Sequence, residues 1–288
     1  MNIIKYIAFV KTVETGSITL ASQSLGYTQS AVSKMIADLE TEWDVTLLTR
    51  SRAGIEISSE GLLLLPMIKE IVRQYNELNF TVSEIHGLKS GLLRLGCFTS
   101  FSTSVLPAII KDFNEKYPSI SIQMKIGEYL EIARWIQDGS VDCGILSMDM
   151  RDSVDMNFLM RDCLVAILPE GHPLADDDVF HINRIPDDNF IILKETEDFE
   201  MADFLHRHNV NPSRSYEVNS DFALLSMVEA GTGISVVHES ILTPKRFNVV
   251  KKKLDKTEYF DVGIGIRPGS TPSTACRLFM DSIKNYLK

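Results

Sequence analysis

The chain has 288 residues, 44% of them hydrophobic, and carries 29 Lys and Arg against 39 Asp and Glu, a formal net charge of −10. This length exceeds what a single hydrophobic core normally organises, so we expect two or three domains. The acidic balance argues against a protein that binds nucleic acid through a general basic surface. The sequence shows neither a signal-peptide pattern nor an apolar run of membrane-spanning length, so we expect a cytoplasmic protein without a membrane partner.

The segment from Gly16 to Gly61 predicts two short helices joined at a glycine and followed by a hairpin. Ser17 can cap a helix over Ile18–Leu25, and Gly26 then supplies a sharp turn. Thr28 can cap the next helix, which has one apolar face and one face of short polar groups. The apolar face carries Val32, Met35, Ile36 and Leu39, and the other face carries Gln29, Ser30, Ser33, Lys34 and Ala37.

Short polar side chains near a helix N-terminus suit the base edges of a DNA major groove. After this helix, Leu47–Ser58 predicts a two-stranded wing with Ala53-Gly54 at its turn, and its arginines would contact the DNA backbone. The DNA-binding residues that we predict are Thr28, Gln29, Ser30, Ser33, Lys34, Arg50 and Arg52.

The same segment resembles the N-terminal signature of the LysR-type transcriptional regulators, bacterial winged helix-turn-helix proteins whose C-terminal half senses a small molecule. In that family the wing usually has basic residues where Ala53 and Glu56 stand, so we expect a weaker grip on phosphate here. The resemblance implies a homo-oligomeric regulator, dimer or tetramer, that binds double-stranded operator DNA. The matching positions are Gly16-Ser17, Ala21, Leu25, Thr28–Lys34, Ile36, Leu39-Glu40, Val45, Leu47, Arg50 and Ser58–Gly61.

The charge of the expected DNA-binding domain, residues 1–58, is also slightly negative. It holds five cations and six anions, a net charge of about −1. DNA binding must then depend on a few placed cations, helix N-termini and base contacts, with two or more copies acting together. The alternative is a helix-turn-helix that serves as a protein-interaction module.

Residues 59–90 predict one long helix and a hinge, because apolar residues recur every three or four positions. A helix of this length outside a globular core usually buries its stripe against a copy of itself, and in the resembling family it is the dimerising linker helix. Pro66 should kink the helix or begin a new one. The alternative is a helix packed only on its own subunit. The stripe comprises Leu62, Leu65, Ile68 or Lys69, Val72, Tyr75, Leu78 or Asn79, Val82 and Ile85.

From Gly91 onward, strands and helices alternate in two similar sets, which predicts a mostly parallel sheet covered by helices. The resemblance implies a two-lobed, periplasmic-binding-protein-like α/β effector domain over 91–288, with the chain crossing near Arg161 and returning near Arg267. Lobe I is expected at 91–161 and 267–288, and lobe II at 162–266. Strands are predicted at 92–98, 120–126, 141–146, 163–168, 190–193, 215–218, 234–237 and 262–266, and helices at 104–117, 129–138, 199–208, 222–230 and 273–287.

The loop Cys97–Ser104 joins the first of these strands to a helix, at the sheet edge where open α/β sheets bind ligands. Its five hydroxyls at a helix N-terminus predict an anion site, and hence a small organic acid as effector. The alternative is that one hydroxyl caps the helix and the others are solvated. The resemblance implies effector contacts from Thr99, Ser100 and Ser102, and segments facing them add Glu128, Ser147, Lys194 and Ser220.

No Ser/His/Asp, Cys/His or paired-carboxylate arrangement has a recognisable context, so we expect no enzyme, no cofactor and no metal. The four scattered cysteines are interpreted as reduced core residues, although the resemblance leaves a redox-sensing pair open. His206-Arg207-His208 and Lys251-Lys252-Lys253 are interpreted as solvated surface. The rival hypothesis is a cytoplasmic small-molecule-binding or enzymatic α/β protein with a vestigial helix-turn-helix.

Overall fold

The computed structural model describes residues 2–51, 54–85, 91–194, 200–243 and 246–287. The chain forms two compact units, Met1–Gly91 and Leu92–Lys288. Within the described residues, no helix combines the length and the apolar character that crossing a bilayer requires.

The first unit is a winged helix-turn-helix followed by a long helix. Both predicted caps are confirmed: the hydroxyl of Ser17 accepts from the Leu20 amide, and that of Thr28 accepts from the Ala31 amide. Gly26 turns the chain in the left-handed conformation, with φ of 71°. The elements are α1 (Ile3–Thr15), α2 (Ile18–Leu25), α3 (Gln29–Trp43), β1 (Leu48–Ser51), β2 (Gly54–Ile57) and α4 (Ser59–Ile85).

Helix α1 was not predicted, and it supplies much of this unit's core. Tyr6 and Phe9 are buried on α1 against Val32 and Leu39 of α3. In the wing, Ser51 pairs with Gly54 in the antiparallel register. Gly54 therefore belongs to the second strand and not to the turn that Ala53-Gly54 was predicted to form.

Helix α4 is continuous through Pro66, so no new helix begins there. The predicted stripe is divided between two faces. Ile68 and Val72 are only 2% and 9% exposed, because they pack with Leu65 into the core of the first unit. Val72 is therefore buried within its own subunit and not on an exposed stripe as predicted, whereas Leu65 is only partly buried there. The exposed row of apolar side chains includes three members of the predicted stripe, Tyr75, Leu78 and Val82, together with Leu63, Met67 and Ile71.

The second unit alternates strands and helices, as predicted, but its hydroxyl-rich loop is itself a short helix. Its first part comprises β3 (Gly91–Cys97), α5 (Thr99–Thr103), α6 (Leu106–Lys116), β4 (Ile120–Ile126), α7 (Tyr129–Gln137), β5 (Cys143–Ser147) and β6 (Asp155–Pro169). It continues with β7 (Val179–Phe180), β8 (Asn189–Leu193), α8 (Glu200–Arg207), β9 (Arg214–Val218), α9 (Asp221–Glu229), β10 (Ser235–His238), β11 (Val249–Leu254), β12 (Tyr259–Ile266) and α10 (Thr274–Tyr286).

The main sheet is mixed and not mostly parallel. Its strand order is β4-β3-β5-β12-β6-β11-β7, with β10 also paired to β6. β3 and β5 are parallel, whereas β12 is antiparallel to both β5 and β6. β10 and β11 are antiparallel to β6 as well. The mixture arises because β12 returns between two strands that were formed earlier in the chain.

The long strand β6 joins two lobes. Its first half pairs with β12, and its second half, from Leu164 onward, pairs with β10 and β11. The chain crosses near the predicted Arg161, but it returns between Leu254 and Tyr259. Because β12 pairs with β5, residues 259–266 lie in lobe I, and the predicted return near Arg267 comes too late. Lobe II has its own core, which includes Leu168, Phe180, Phe190, Phe204 and Ile234.

Candidate functional site

The outer face of α3 presents polar side chains at the N-terminal end of the helix. Gln29, Ser30 and Lys34 are exposed, and Ser33 is half-buried. The Thr28 hydroxyl lies 3.2 Å from the Ala31 amide that it caps and 3.1 Å from the Ser30 hydroxyl. Five of the predicted DNA-binding residues therefore meet on one helix end, which is the part of a recognition helix that reaches base edges.

The cations of this unit are unequally available. Lys5 lies 3.5 Å from Glu42, and Lys11 lies 3.1 Å from Glu14. Lys34 forms no ion pair within the described part of the chain, and it stands on the polar face of α3. Among the described side chains of residues 1–58, Lys34 on α3 is therefore the cation left without a carboxylate partner. Of the two predicted wing cations, the Arg50 side chain and all of Arg52 lie outside the described residues.

Two side chains from the signature, Glu40 and Ser58, fix the wing against the helices. A carboxylate oxygen of Glu40 accepts hydrogen bonds from the amides of Leu47 and Leu48, at 2.7 and 3.1 Å. The Ser58 hydroxyl donates to the Thr46 carbonyl and accepts from the Gly61 amide at 2.9 Å. These bonds determine how the wing leaves α3 and enters α4.

A cavity of about 390 Å³ lies between the two lobes. Lobe I contributes the segments after β3 and β4, and lobe II contributes those after β8, β9 and β10. Of the predicted effector-binding residues, Ser147 lines a separate cavity of about 350 Å³, and Ser102 lines neither. The five that line the interlobe cavity are Thr99, Ser100, Glu128, Lys194 and Ser220.

Three of the five hydroxyls in the predicted anion site Thr99–Ser104 are hydrogen-bonded within the segment. Ser102 donates to the Thr99 carbonyl at 2.7 Å, and Ser104 donates to the Ser100 carbonyl at 2.7 Å. Thr103 donates to both carbonyls at 3.2 Å. A serine- and threonine-rich turn can satisfy its own backbone in this way, which the linear sequence could not distinguish from an open loop.

The charged groups along the interlobe cavity are mainly acidic. Glu128 and Glu131 cap the start of α7 reciprocally, with the Glu128 amide 3.1 Å from a Glu131 carboxylate oxygen. Asp221 begins α9, where burial raises the pKa of its carboxyl and the charge of His238 partly opposes that rise. The Lys194 ammonium lies 2.6 Å from the Glu217 carboxylate.

Sequence reasoning missed Glu131 and His238 in this cavity. The Glu-x-x-Glu spacing at the start of α7 is a capping-box pattern that could have indicated Glu131. His238 gave no local signal, because it reaches the cavity only through the pairing of β10 with β6.

A row of aromatic rings connects the lobes beside the cavity. Phe98 and Tyr129 of lobe I meet edge to face at 5.1 Å between ring centroids. Tyr129 stacks on Phe260 of β12 at 5.8 Å, and Phe260 meets His238 of lobe II at 4.7 Å. Any change in the angle between the lobes must therefore rearrange these rings.

Two family models match the chain over nearly its whole length. Residues 5–62 match the bacterial regulatory helix-turn-helix protein, lysR family, and residues 86–288 match the LysR substrate binding domain. The chain belongs to the LysR family. LysR-family proteins of this architecture are DNA-binding transcription regulators with a substrate-binding effector domain, which confirms the main interpretation over the vestigial alternative.

Relatives and solved structures of LysR regulators align over the full chain. An uncharacterised HTH-type transcriptional regulator of Bacillus subtilis, YvbU, is 27% identical over 287 residues, covering 99% of this chain and 98% of the relative. Full-length OxyR from Pseudomonas aeruginosa superposes with a TM-score of 0.79 at 16% identity, covering 99% and 95%. CbnR, solved with its target DNA, gives a TM-score of 0.68 at 15% identity, covering 99% and 100%.

The cysteines fit the interpretation as core residues. Cys97, Cys143 and Cys276 are buried, and Cys163 is half-buried. Burial and a hydrogen bond to Glu239 raise the pKa of the Cys163 thiol to about 11, so this thiol is protonated at neutral pH. Within the described ranges, no group of three or more His, Cys, Asp or Glu is arranged to hold a metal ion.

Proposed function

We propose that two or more copies of this regulator read successive major grooves of one operator through the Gln29–Lys34 face of α3. The observation that carries this proposal is the exposed polar N-terminal face of α3, with Lys34 as its available cation. Gln29 and Ser33 would contact base edges, and Arg50 and Arg52 of the wing would contact the flanking backbone.

We infer that copies pair through the exposed apolar row on α4. Leu63, Met67 and Leu78 are 75%, 65% and 60% exposed in the single chain. The row advances by three or four residues at each step, so it follows one face of the helix. A second α4 packed on this face would remove the row from water.

The interlobe cavity supports a small-molecule effector. Its volume of about 390 Å³ lies at the lower end of the range for ligand pockets, and its walls come from both lobes. A ligand held by both lobes favours one angle between them, and we propose that this change alters the spacing of the paired DNA-binding domains. An organic acid, which the loop pattern predicts, would face three carboxylates in this cavity.

A gel shift with the full chain on the DNA upstream of its own gene tests the proposed function. The wild-type protein should retain this DNA against unrelated competitor, and Gln29→Ala should lose about 1–3 kcal/mol of specific binding. Thr41→Ala is the matched control, because Thr41 lies beyond Lys34 toward the C-terminal end of α3, away from the first turns of the helix. Specific binding that survives Gln29→Ala intact would contradict the assigned face.

A further inference from the structure

We propose that the interlobe ligand is an organic cation, most simply a primary amine on a small apolar body. This inference rests on the proposed effector function of the cavity, and it reverses the charge that the loop pattern predicts. It follows from the placement of charges, from the use of the nearby donors and from the character of the remaining walls.

The cavity has acidic groups on both sides. Glu128 and Glu131 belong to lobe I, and Asp221 belongs to lobe II. Lys194 is the only lysine or arginine among the described lining residues, and its ammonium is already 2.6 Å from Glu217. Like charges on the two lobes disfavour closure of the cleft, and a cation between them would reverse the sign of that interaction.

Two of the helix starts at the cavity are already capped, so the backbone donors there are occupied. The start of α7 is capped by the carboxylates of Glu128 and Glu131, so an anion there would meet negative charge. The start of α9 is capped by the Ser220 hydroxyl, which accepts from the Ala223 amide. At the start of α5, which has no side-chain cap, Thr99 and Ser100 line the cavity, whereas the hydroxyls of Ser102, Thr103 and Ser104 donate to carbonyls within their own segment and do not line it.

Asp221 is the acidic group that most needs a partner. Among the residues that the structure describes, none donates a hydrogen bond to its carboxylate or forms an ion pair with it. Burial raises the pKa of this carboxyl and the charge of His238 opposes that rise only in part, so its ionised form is incompletely compensated in the absence of ligand. An ammonium group at Asp221 would provide both opposite charge and hydrogen-bond donors.

The rest of the cavity suits an apolar body attached to such a group. Aliphatic side chains from lobe II form much of the wall, including Leu193, Val236 and Ile241. Phe98 and Tyr129 add aromatic rings from lobe I, and aromatic faces attract cations. The combination of carboxylates, rings and aliphatic walls is therefore complementary to an amine with a hydrocarbon portion.

The test is binding of matched compounds to the full chain at about pH 8. Each set contains a primary amine, an alcohol and a carboxylate on the same carbon skeleton, with linear, branched and benzyl skeletons represented. Thermal denaturation and calorimetric titration report binding. At least one amine should raise the melting temperature and bind with a measurable Kd, and it should exceed both of its counterparts.

Variants then test which residue binds the ammonium group of that amine. Asp221→Asn should weaken binding of that amine by about 10- to 100-fold, the range for a charge-assisted hydrogen bond. Asp281→Asn makes the same change on the exposed face of α10 and should leave the Kd unaltered. Lys194→Met should tighten amine binding, because it removes a competing positive charge.

Three outcomes overturn the proposal: stabilisation by carboxylates above amines, no amine that exceeds its alcohol counterpart, or unchanged amine binding in Asp221→Asn. A gel shift with the same protein separates these results from the proposed function. Specific DNA binding that persists when the amine test fails would refute the cation alone. Absence of both amine binding and specific DNA binding would refute the proposed function as well.

Discussion

At the scale of single residues, the close approach of helix α4 to the wing explains why a glycine stands at position 61 of the signature. A Cβ at this position would collide with the backbone carbonyl of Leu47 and lie 2.8 Å from Cγ1 of Ile57. Helix propensity alone would make Gly61→Ala stabilising by about 0.5–1 kcal/mol. The collision is with a backbone atom and cannot be relieved by a rotamer change. The cost of overpacking should therefore exceed the gain in helix propensity.

We therefore expect Gly61→Ala to lower the free energy of unfolding of the first unit by about 1–3 kcal/mol. Thermal denaturation followed by circular dichroism measures the change. Asn76→Ala, at an exposed position of the same helix, serves as the control and should be neutral or slightly stabilising. An equal response of both variants would show that α4 does not approach the wing this closely.

Glu258 should make the stability of the second unit depend on pH. Its carboxylate lies 2.7 Å from Nε2 of His208 and 3.0 Å from Arg207. Burial alone would raise the pKa of Glu258, but the hydrogen bond from His208 and the charge of Arg207 outweigh it and lower the pKa. The resulting stabilisation is present above the unfolded pKa of about 4.3 and is lost as pH falls through the lower folded value.

Glu258→Gln should lower the free energy of unfolding by about 1–3 kcal/mol at neutral pH. The substitution weakens the hydrogen bond to His208, whose side chain is only 9% exposed. Denaturant unfolding of the wild type and the variant between about pH 3 and pH 7 measures the difference. The difference in the free energy of unfolding should shrink toward pH 3. A difference that stays constant with pH would contradict the lowered pKa of Glu258.

Residue-scale predictions succeeded where the chemistry is local. The predicted caps by Ser17 and Thr28 lie within three residues of the amides that they serve. His208 was wrongly interpreted as solvated, because its partner Glu258 is 50 positions away. The sequence pattern contains no information about such a contact until the strands are paired.

At the scale of elements, the two faces of α4 should respond differently to charge. Met67→Asp is expected to produce monomers with folded DNA-binding domains, because Met67 is exposed on the proposed pairing face. Val72→Asp is expected to unfold the first unit, because Val72 is buried in its core. Sedimentation and circular dichroism distinguish these results. An unchanged oligomer in Met67→Asp would place the interface elsewhere.

Helices and strands were predictable to within a few residues where the periodicity is clear, and the bounds of β4 were predicted as observed. Strand β11 was missed, because Lys251–Lys253 resembles a solvated charge run although these residues pair with β6. Periodicity also could not predict the direction of neighbouring strands, since β12 and β5 both contain runs of buried residues and yet lie antiparallel.

At the scale of the whole molecule, a net charge of −10 requires that DNA binding use few phosphate contacts. If Lys34, Arg50 and Arg52 supply the phosphate contacts, affinity should fall with salt by about 0.9 log units per contact for each tenfold rise. Arg50→Ala should reduce the magnitude of this slope by about 1 per bound subunit. Lys11→Ala should leave the slope unchanged, because Glu14 already pairs with Lys11. Fluorescence anisotropy across a salt series measures these slopes, and an unaltered slope in Arg50→Ala would exclude its phosphate contact.

Selection from a random pool of double-stranded DNA tests the central claim most directly. The full wild-type chain should enrich two half-sites whose centres lie about one helical turn, or a multiple of it, apart. Gln29→Ala should lose its preference at a base pair in each half-site and keep the spacing, whereas Thr41→Ala should enrich the wild-type motif. Enrichment of no motif by the wild type, or of the same motif by Gln29→Ala, would contradict sequence reading by the Gln29–Lys34 face.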